Sequence, residues 1–210
     1  MTRSLASIPL SLTVALPTPS TMNDVSDPTS VDELFDLYES LGDQSYGESI
    51  TQNEHALQCA ALAREAGATD AMIVAALFHD VGHLATDVQS DSNFDLASDD
   101  DDHEARGARI LAPLFGACVA QPVALHVTAK RWRCTREPEY HDRLSIASQA
   151  TLIAQGGLLS EIECRRFEQH PGFDDALALR TWDDIGKVEG LNVGALRDWD
   201  SLVRSLAETR

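Results

Sequence analysis

Apolar residues recur at helical spacing along most of the chain, and the first such stretch begins directly after Ser30. From Val31 to Leu41 the apolar side chains lie three and four residues apart, and Gly42 follows the last of them. This spacing predicts an amphipathic helix that ends at the glycine. Ser30 and Glu33 have the spacing of a capping box, which indicates where the helix begins.

Two more helices are predicted in the next forty residues. Thr51 is a candidate N-cap for a helix that runs to Gly67, and Asp70 is a candidate N-cap for a helix that runs to about His79. The second of these is apolar on nearly all sides, whereas a surface helix has one apolar stripe. We therefore expect it to lie in the centre of the fold.

The rest of the chain continues the same pattern, with prolines and glycines between the apolar runs. No segment alternates apolar and polar residues over a length typical of a strand. The sequence therefore predicts an all-α fold, a helical bundle. The further predicted helices are His103–Phe115, Ala117–Lys130, Tyr140–Gln155, Ser160–Glu168 and Asp174–Ile185.

Two segments differ from this pattern. Residues 1–29 contain prolines, serines and threonines without helical periodicity, and we predict a disordered tail there, with one domain over residues 30–210. Residues 85–102 hold seven aspartates and few apolar side chains. This composition predicts a solvated, mobile loop, which is also placed to act as a lid over the motif that precedes it.

The chain of 210 residues carries 16 basic and 34 acidic residues, so its formal net charge is −18. Such a charge repels nucleic-acid phosphates and anionic membranes, so neither is an expected partner. No apolar run approaches the roughly 20 residues of a membrane span. The four cysteines form no CxxC pair. We expect reduced thiols and a cytoplasmic protein.

The strongest chemical signal is a histidine followed by an aspartate at the end of the apolar helix, His79-Asp80, with His83 four residues after His79. A lone buried carboxylate is costly, and a bound metal ion would neutralise it. If the helix continues through Gly82, His79 and His83 lie one turn apart.

Further histidines, and one aspartate near the end of the domain, lie in separate predicted helices. Imidazole and carboxylate ligands suit iron, manganese or zinc, and a set without cysteine disfavours a structural zinc site. A metal centre with open coordination positions is what catalysis requires. The additional candidate ligands are His55, His103, His126 and Asp183.

The order of these residues resembles the HD-domain superfamily of helical metalloproteins, in its two-metal branch. The segments around these ligands are similar to the mixed-valent diiron oxygenases of that superfamily, which act on organophosphonates. The resemblance covers about Val31 to Lys187. Its segments are Tyr46-Gly47-Glu48, Gln52 to Gln58, Ala76 to Leu84, His126 to Arg131, Leu144-Ser145, Ala147-Ser148, Gln155 to Gly157 and Leu179 to Asp184.

The resemblance implies an HD-domain helical bundle that holds two iron ions, one Fe²⁺ and one Fe³⁺. It implies that Asp80 bridges the two ions and that Asp80 and His83 are catalytic. The expected ligands of the first iron are His55, His79 and Asp183, and those of the second are His103 and His126.

By the same resemblance the enzyme uses O2 to cleave the C–P bond of a 1-hydroxyphosphonate, releasing phosphate and a carboxylate. The implied substrate is 2-amino-1-hydroxyethylphosphonate, giving glycine, or an N-methylated or amine-free analogue. Glu48 is expected to contact the substrate amine, and Tyr46 is a further expected substrate-binding residue. The implied phosphonate-binding residues are His83, Lys130, Ser148, Thr151 and Arg180.

Position supports two of these residues independently. Lys130 lies one helical turn after His126, and Arg180 lies three residues before Asp183, so both can place positive charge beside the metals. Arg106, three residues after His103, is a reserve candidate. Lys187 is four residues after Asp183 but lies beyond Gly186, where the helix is predicted to end.

Two other functions share the same ligands. One is a metal-dependent phosphohydrolase of the HD type that acts on a nucleotide or phosphate monoester, and the other is a degenerate HD fold that only binds. Glu48, the pair His126/Lys130 and the segment Arg180 to Asp183 favour the oxygenase. Every expected ligand position is filled, which disfavours the binding module.

Overall fold

A computed structural model describes residues 27–46, 49–87 and 102–209. This part of the chain contains no strand, only an isolated antiparallel bridge between Ser45 and Thr51. It forms eleven α-helices and one 3₁₀ turn, Leu196–Trp199. The helices are α1 (Val31–Leu41), α2 (Gln52–Glu65), α3 (Asp70–Phe78), α4 (Val81–Asp87), α5 (His103–Phe115), α6 (Ala117–Arg136), α7 (Tyr140–Arg143), α8 (Ile146–Ala154), α9 (Glu161–Glu168), α10 (Phe173–Ile185) and α11 (Asp200–Glu208).

The helix α3 is central, as its composition predicted. All seven residues from Met72 to Phe78 are buried, and the helix packs against α2, α6 and α10. Phe78 meets the rings of Phe35 and Tyr38 edge-on, with centroids 5.9 and 5.2 Å away. Replacing such a buried ring by alanine typically costs about 3–5 kcal/mol. The core is therefore built around the helix that ends at His79.

The helix α6 forms the second wall of this core. It packs along α5 on one side and α10 on another, and it runs to Arg136, beyond the predicted end at Lys130. Basic residues in the last turn, Arg133 and Arg136, complement the helix dipole, and both form ion pairs. The extra turns are thus stabilised by pairs that helical periodicity alone did not reveal.

Several predicted boundaries need correction. The segment Tyr140–Gln155 is two helices, because the Ser145 hydroxyl accepts a hydrogen bond from the Ser148 N–H and starts α8 anew. The cap of α3 is Thr69, whose hydroxyl accepts from Met72 N, so Asp70 is the first helical residue.

The capping box at α1 forms only in part. The Ser30 hydroxyl accepts from Glu33 N, whereas the Glu33 carboxylate accepts from Thr29. The C-terminal helix α11 was not predicted.

The segments with unusual composition lie mostly outside the described residues. Of the predicted tail, 27–29 are described, and Asp27 forms an ion pair with Arg106 at 2.7 Å. Of the aspartate-rich segment, 85–87 and Asp102 are described, so the predicted loop and lid fall on residues outside the description. Among the described helices, none combines the length and apolarity of a membrane span.

Candidate metal centre

The six predicted ligands come from five places in the fold and meet in its interior. His55 lies in α2, His103 is the first residue of α5, His126 lies in α6, and Asp183 lies in α10. His79 and Asp80 form the two-residue connection between α3 and α4. All six side chains are buried, so each polar group needs a partner.

The connection at His79-Asp80 separates two helices. The helix does not continue unbroken through Gly82: α3 ends at Phe78, and α4 starts at Val81. His83 therefore does not share a helix face with His79, and it stacks on the ring of His103 with centroids 3.8 Å apart. Gly82 is required here, because a Cβ at this position would overlap the His103 carbonyl.

Asp80 lies between two pairs of histidines. Its Oδ2 is 3.3 Å from His79 Nε2 and 3.6 Å from His55 Nε2, whereas its Oδ1 is 3.8 Å from both His103 Nε2 and His126 Nε2. Each oxygen therefore faces one pair. Asp183 completes the first group, with Oδ1 at 3.4 Å from His55 Nε2. A carboxylate in this position can serve two ions at once.

Backbone carbonyls hold the histidine rings in orientation. Where Nδ1 donates its proton to a carbonyl, Nε2 is left with a lone pair, which is the form that ligates a metal. The Nε2 atoms of His55 and His79 are 3.3 Å apart, and two lone pairs at that distance repel unless a cation lies between them. The Nδ1 contacts are His55 to Gly186 O (2.8 Å), His79 to Ala76 O (2.9 Å) and His126 to Val123 O (2.7 Å).

The protonation states also suit metal ligation. Burial and the neighbouring His103 lower the pKa of His126 to about 3, and burial lowers the pKa of His55. Burial alone would raise the pKa of Asp80 and Asp183, yet both pKa values lie well below the ordinary range, through the neighbouring histidines for Asp80 and chiefly through Arg180 and Lys187 for Asp183. At neutral pH the two imidazoles are uncharged and the carboxylates ionised.

Two buried carboxylate oxygens, Asp80 Oδ2 and Asp183 Oδ1, accept no hydrogen bond from the described residues. Asp80 Oδ2 faces the Nε2 atoms of the first histidine pair, whereas Asp183 Oδ1 faces His55 Nε2 and has the Lys187 ammonium 3.3 Å away. A buried ionised oxygen without a donor or cation beside it, such as Asp80 Oδ2, is expensive, and a metal ion would supply the missing partner. The donor set, imidazole nitrogen and carboxylate oxygen, fits iron among other first-row ions.

A group of basic and hydroxyl side chains lies beside the first histidine pair. We call it the cationic pocket; it consists of Lys130, Arg180, Lys187, Ser148 and Thr151. The Lys130 ammonium donates to Thr151 Oγ1 at 2.7 Å, and Lys187 Nζ donates to Ser148 Oγ at 3.2 Å. Arg180 and Lys187 are ion-paired with Asp183, whereas Lys130 donates to uncharged acceptors, so Lys130 is the cation of this pocket best placed to meet an anion.

Lys130 shows how strongly this pocket favours an anion. Its side chain is only 2% exposed, and burial together with the nearby Arg180 charge lowers its pKa to about 7. Its nearest acceptors, Thr151 and Gln155, are uncharged. A bound dianion would compensate the charge that the folded chain leaves unpaired.

Arg180 has a second role that its spacing did not indicate. Its Nη1 is 2.8 Å from Asp183 Oδ2, and its other nitrogens contact Asp184 and the Tyr140 hydroxyl. Tyr140 also donates to Asp184 at 2.5 Å. Arg180 therefore orients the carboxylate of a candidate ligand while it borders the pocket, and Tyr140 holds it in place.

The loop before α2 contributes Tyr46, whose ring stacks on His55 with centroids 4.0 Å apart. Glu48 lies outside the described residues, so its expected contact with a substrate amine stays a prediction. The reserve candidate Arg106 is engaged with Asp27. Lys187 was not a candidate, because it lies beyond the predicted end of the helix. In the structure its Nζ lies 3.3 Å from Asp183 Oδ1.

Gln155 and Tyr140 are two further residues at this site to which the sequence analysis gave no role. Gln155 lies in the family-like segment Gln155 to Gly157, at the end of the helix that carries Ser148 and Thr151. This position could have indicated that it belongs to the site. No local pattern identified Tyr140, because its contacts with Arg180 and Asp184 join helices 40 or more residues apart.

Comparison with known proteins identifies the family of this chain. A family model described as HD domain matches residues 53–154. A hydroxymethylphosphonate dioxygenase of Gimesia maris is 46% identical over 178 residues, 85% of this chain and 88% of that protein. The [1-hydroxy-2-(trimethylamino)ethyl]phosphonate dioxygenase (glycine-betaine-forming) of Leisingera caerulea is 38% identical over 162 residues, 75% of this chain and 80% of that protein.

An uncharacterized protein, L432, of Acanthamoeba polyphaga mimivirus is 35% identical over 184 residues, which cover 83% of this chain and 80% of that protein. The identity in each case extends over most of both chains. The all-α fold and the expected family are confirmed. The chain belongs to the HD-domain phosphonate dioxygenases.

Proposed function

We propose that this protein is a diiron oxygenase that cleaves the C–P bond of a 1-hydroxyphosphonate, with hydroxymethylphosphonate as its simplest substrate. The observation that carries the proposal is the position of Asp80 between two histidine pairs, next to a pocket of three cations. The relatives act, by their names, on hydroxyphosphonates with and without a nitrogen-bearing group.

The ligand assignment follows the geometry. His55, His79 and Asp183 would hold one iron, His103 and His126 the other, and Asp80 would contact both. Bound iron supplies O2 activation and acidifies a coordinated substrate hydroxyl. The carbonyls that accept from Nδ1 keep three of the rings in the ligating tautomer, and burial of the six side chains excludes bulk water.

The cationic pocket would receive the phosphonate. Lys130 and Arg180 supply charged donors, and the hydroxyls of Ser148 and Thr151 add neutral ones. His83, half-buried and stacked on His103, is the remaining polar side chain that the family pattern places at the substrate. Held there, the phosphonate would present its carbinol carbon toward the metal centre.

The proposed reaction has a defined balance. One O2 and one hydroxymethylphosphonate give one formate and one phosphate; the C–P bond breaks, the carbinol carbon is oxidised, and both oxygen atoms enter the products. A phosphohydrolase would release phosphate from a monoester without consuming oxygen. A measurement of oxygen uptake therefore distinguishes the proposed oxygenase from a phosphohydrolase with the same metal ligands.

The experiment uses the full chain, loaded with iron under anaerobic conditions. We expect about two irons per chain, with uptake of one O2 per phosphate released from hydroxymethylphosphonate. A panel with 2-amino-1-hydroxyethylphosphonate and its N-trimethylated form measures the preference among substrates. Full phosphate release with zinc alone, or release without oxygen uptake, would show that the proposed function is wrong.

A further inference from the structure

The segment after α10 is held firmly against α2. Gly186 ends α10, and its carbonyl accepts the Nδ1 proton of His55. Gln58 pairs with both backbone groups of Val188, donating to its carbonyl and accepting from its N–H at 2.9 Å each. Lys187, between these two anchored residues, therefore has a fixed backbone and leaves only its side chain to position.

That side chain turns back into the site and is only 12% exposed. Its Nζ is 3.3 Å from Asp183 Oδ1 and donates to Ser148 Oγ at 3.2 Å. The same atom lies 5.4 Å from the centroid of the Tyr46 ring, within the range of a cation–π contact. The Lys187 ammonium group thus lies at the edge of the cationic pocket that faces the Tyr46 ring.

A carboxylate oxygen and an aromatic face together form a binding site for a cation. A substrate that carries an ammonium beside its phosphonate needs such a site next to the phosphonate pocket. Here Lys187 already provides the cation. A second ammonium that extends from Ser148 toward Tyr46 would meet like charge in a poorly solvated space, which is unfavourable.

We propose that Lys187 takes the place of a substrate ammonium and selects 1-hydroxyphosphonates without an amine. The inference deepens the proposed function and rests on it for the position of the phosphonate. Lys187 would then be a specificity-determining residue. If it served instead as one more donor to the phosphonate, its loss would weaken every phosphonate to the same extent.

The test is calorimetric binding to the iron-loaded full chain under nitrogen, where no turnover occurs. The probes are hydroxymethylphosphonate, 1-hydroxypropylphosphonate and 2-amino-1-hydroxyethylphosphonate, of which the last two have similar size and differ in charge. The chain is compared with Lys187→Met, which keeps the length without charge, and with Lys187→Arg, which keeps the charge. Lys187→Gln, which retains a donor to Ser148, is the second neutral variant, and iron content is measured throughout.

We expect the unmodified chain and Lys187→Arg to bind the neutral propyl compound at least about tenfold more tightly than the amine. Both neutral variants should remove most of that difference. Four results would each overturn the inference. They are equally weaker binding of all three probes by the neutral variants, tight binding of the amine by the unmodified chain, no binding of any probe, and loss of iron in both neutral variants. Binding with the expected preference but without phosphate release would contradict the proposed reaction alone.

Discussion

Replacement of Lys130 by methionine tests two effects of this buried lysine, one on the stability of the substrate-free protein and one on substrate capture. The folded chain lowers the pKa of this lysine from its ordinary 10.5 to about 7, chiefly by burial. In the unfolded chain the lysine stays protonated up to its ordinary pKa, so between about pH 7 and pH 10.5 the unfolded state binds more protons. Stability from this group therefore rises with pH across that window.

At pH 7 the lowered pKa of Lys130 reduces the free energy of unfolding of the substrate-free protein by roughly a few kcal/mol. Lys130→Met should therefore raise the thermal midpoint of the substrate-free protein and flatten its rise with pH above neutrality. Lys130→Arg keeps the buried charge and should show no such stabilisation. A lower midpoint for Lys130→Met than for Lys130→Arg would refute the reasoning.

The same substitution should impair substrate capture. Loss of a charge-assisted hydrogen bond costs roughly 1.5–3 kcal/mol, or about ten- to a hundredfold in kcat/KM for hydroxymethylphosphonate. Because the ammonium of Lys130 is present below its pKa of about 7 and lost above it, kcat/KM should fall as pH rises through that value. The ratio to Lys130→Arg cancels the ionisation of the substrate, so a ratio that does not change with pH would contradict this assignment.

Three further predictions concern the metal centre, with iron content and thermal midpoint as readouts. Asp80→Ala should lose both irons and Asp80→Asn most of one, because each carboxylate oxygen faces its own histidine pair; two irons retained in Asp80→Ala would exclude a bridge. Arg180→Ala should lower both iron content and kcat/KM, since Arg180 contacts Asp183 at 2.8 Å. Arg180→Lys should restore part of each, and normal iron content in Arg180→Ala would limit the role of Arg180 to the pocket. Gly186→Ala should destabilise the folded protein by about 1–3 kcal/mol, because the new Cβ would lie 2.7 Å from Cys59 Sγ. Adding Cys59→Ala should restore much of the lost stability, and no recovery would place the strain at the backbone.

The sequence by itself determined most of the helices and the candidate ligands. Apolar spacing identified α1, α2, α5 and the central α3, because a buried helix face requires a local repeat that can be read directly. The His79-Asp80 pair pointed to a metal, because a buried carboxylate beside a histidine has few other uses. The family also followed from sequence, since its segments are distinctive together.

Only the tertiary structure decided how these residues are used. Helical spacing suggested that His79 and His83 share a face, but α4 starts afresh at Val81 and passes close to α5. Arg106 appeared able to serve the metals by its spacing from His103, yet it pairs with Asp27, 79 residues away. A local pattern carries no information about such distant partners.

Lys187 shows the physical reason most clearly. Its place in the sequence, past the end of a helix, suggested a residue outside the site. Its actual position depends on Gln58 and His55, about 130 residues earlier, which fix the backbone on both sides of it. Periodicity reports which face of one helix is buried, whereas the direction of a side chain after that helix ends is set by what packs against it.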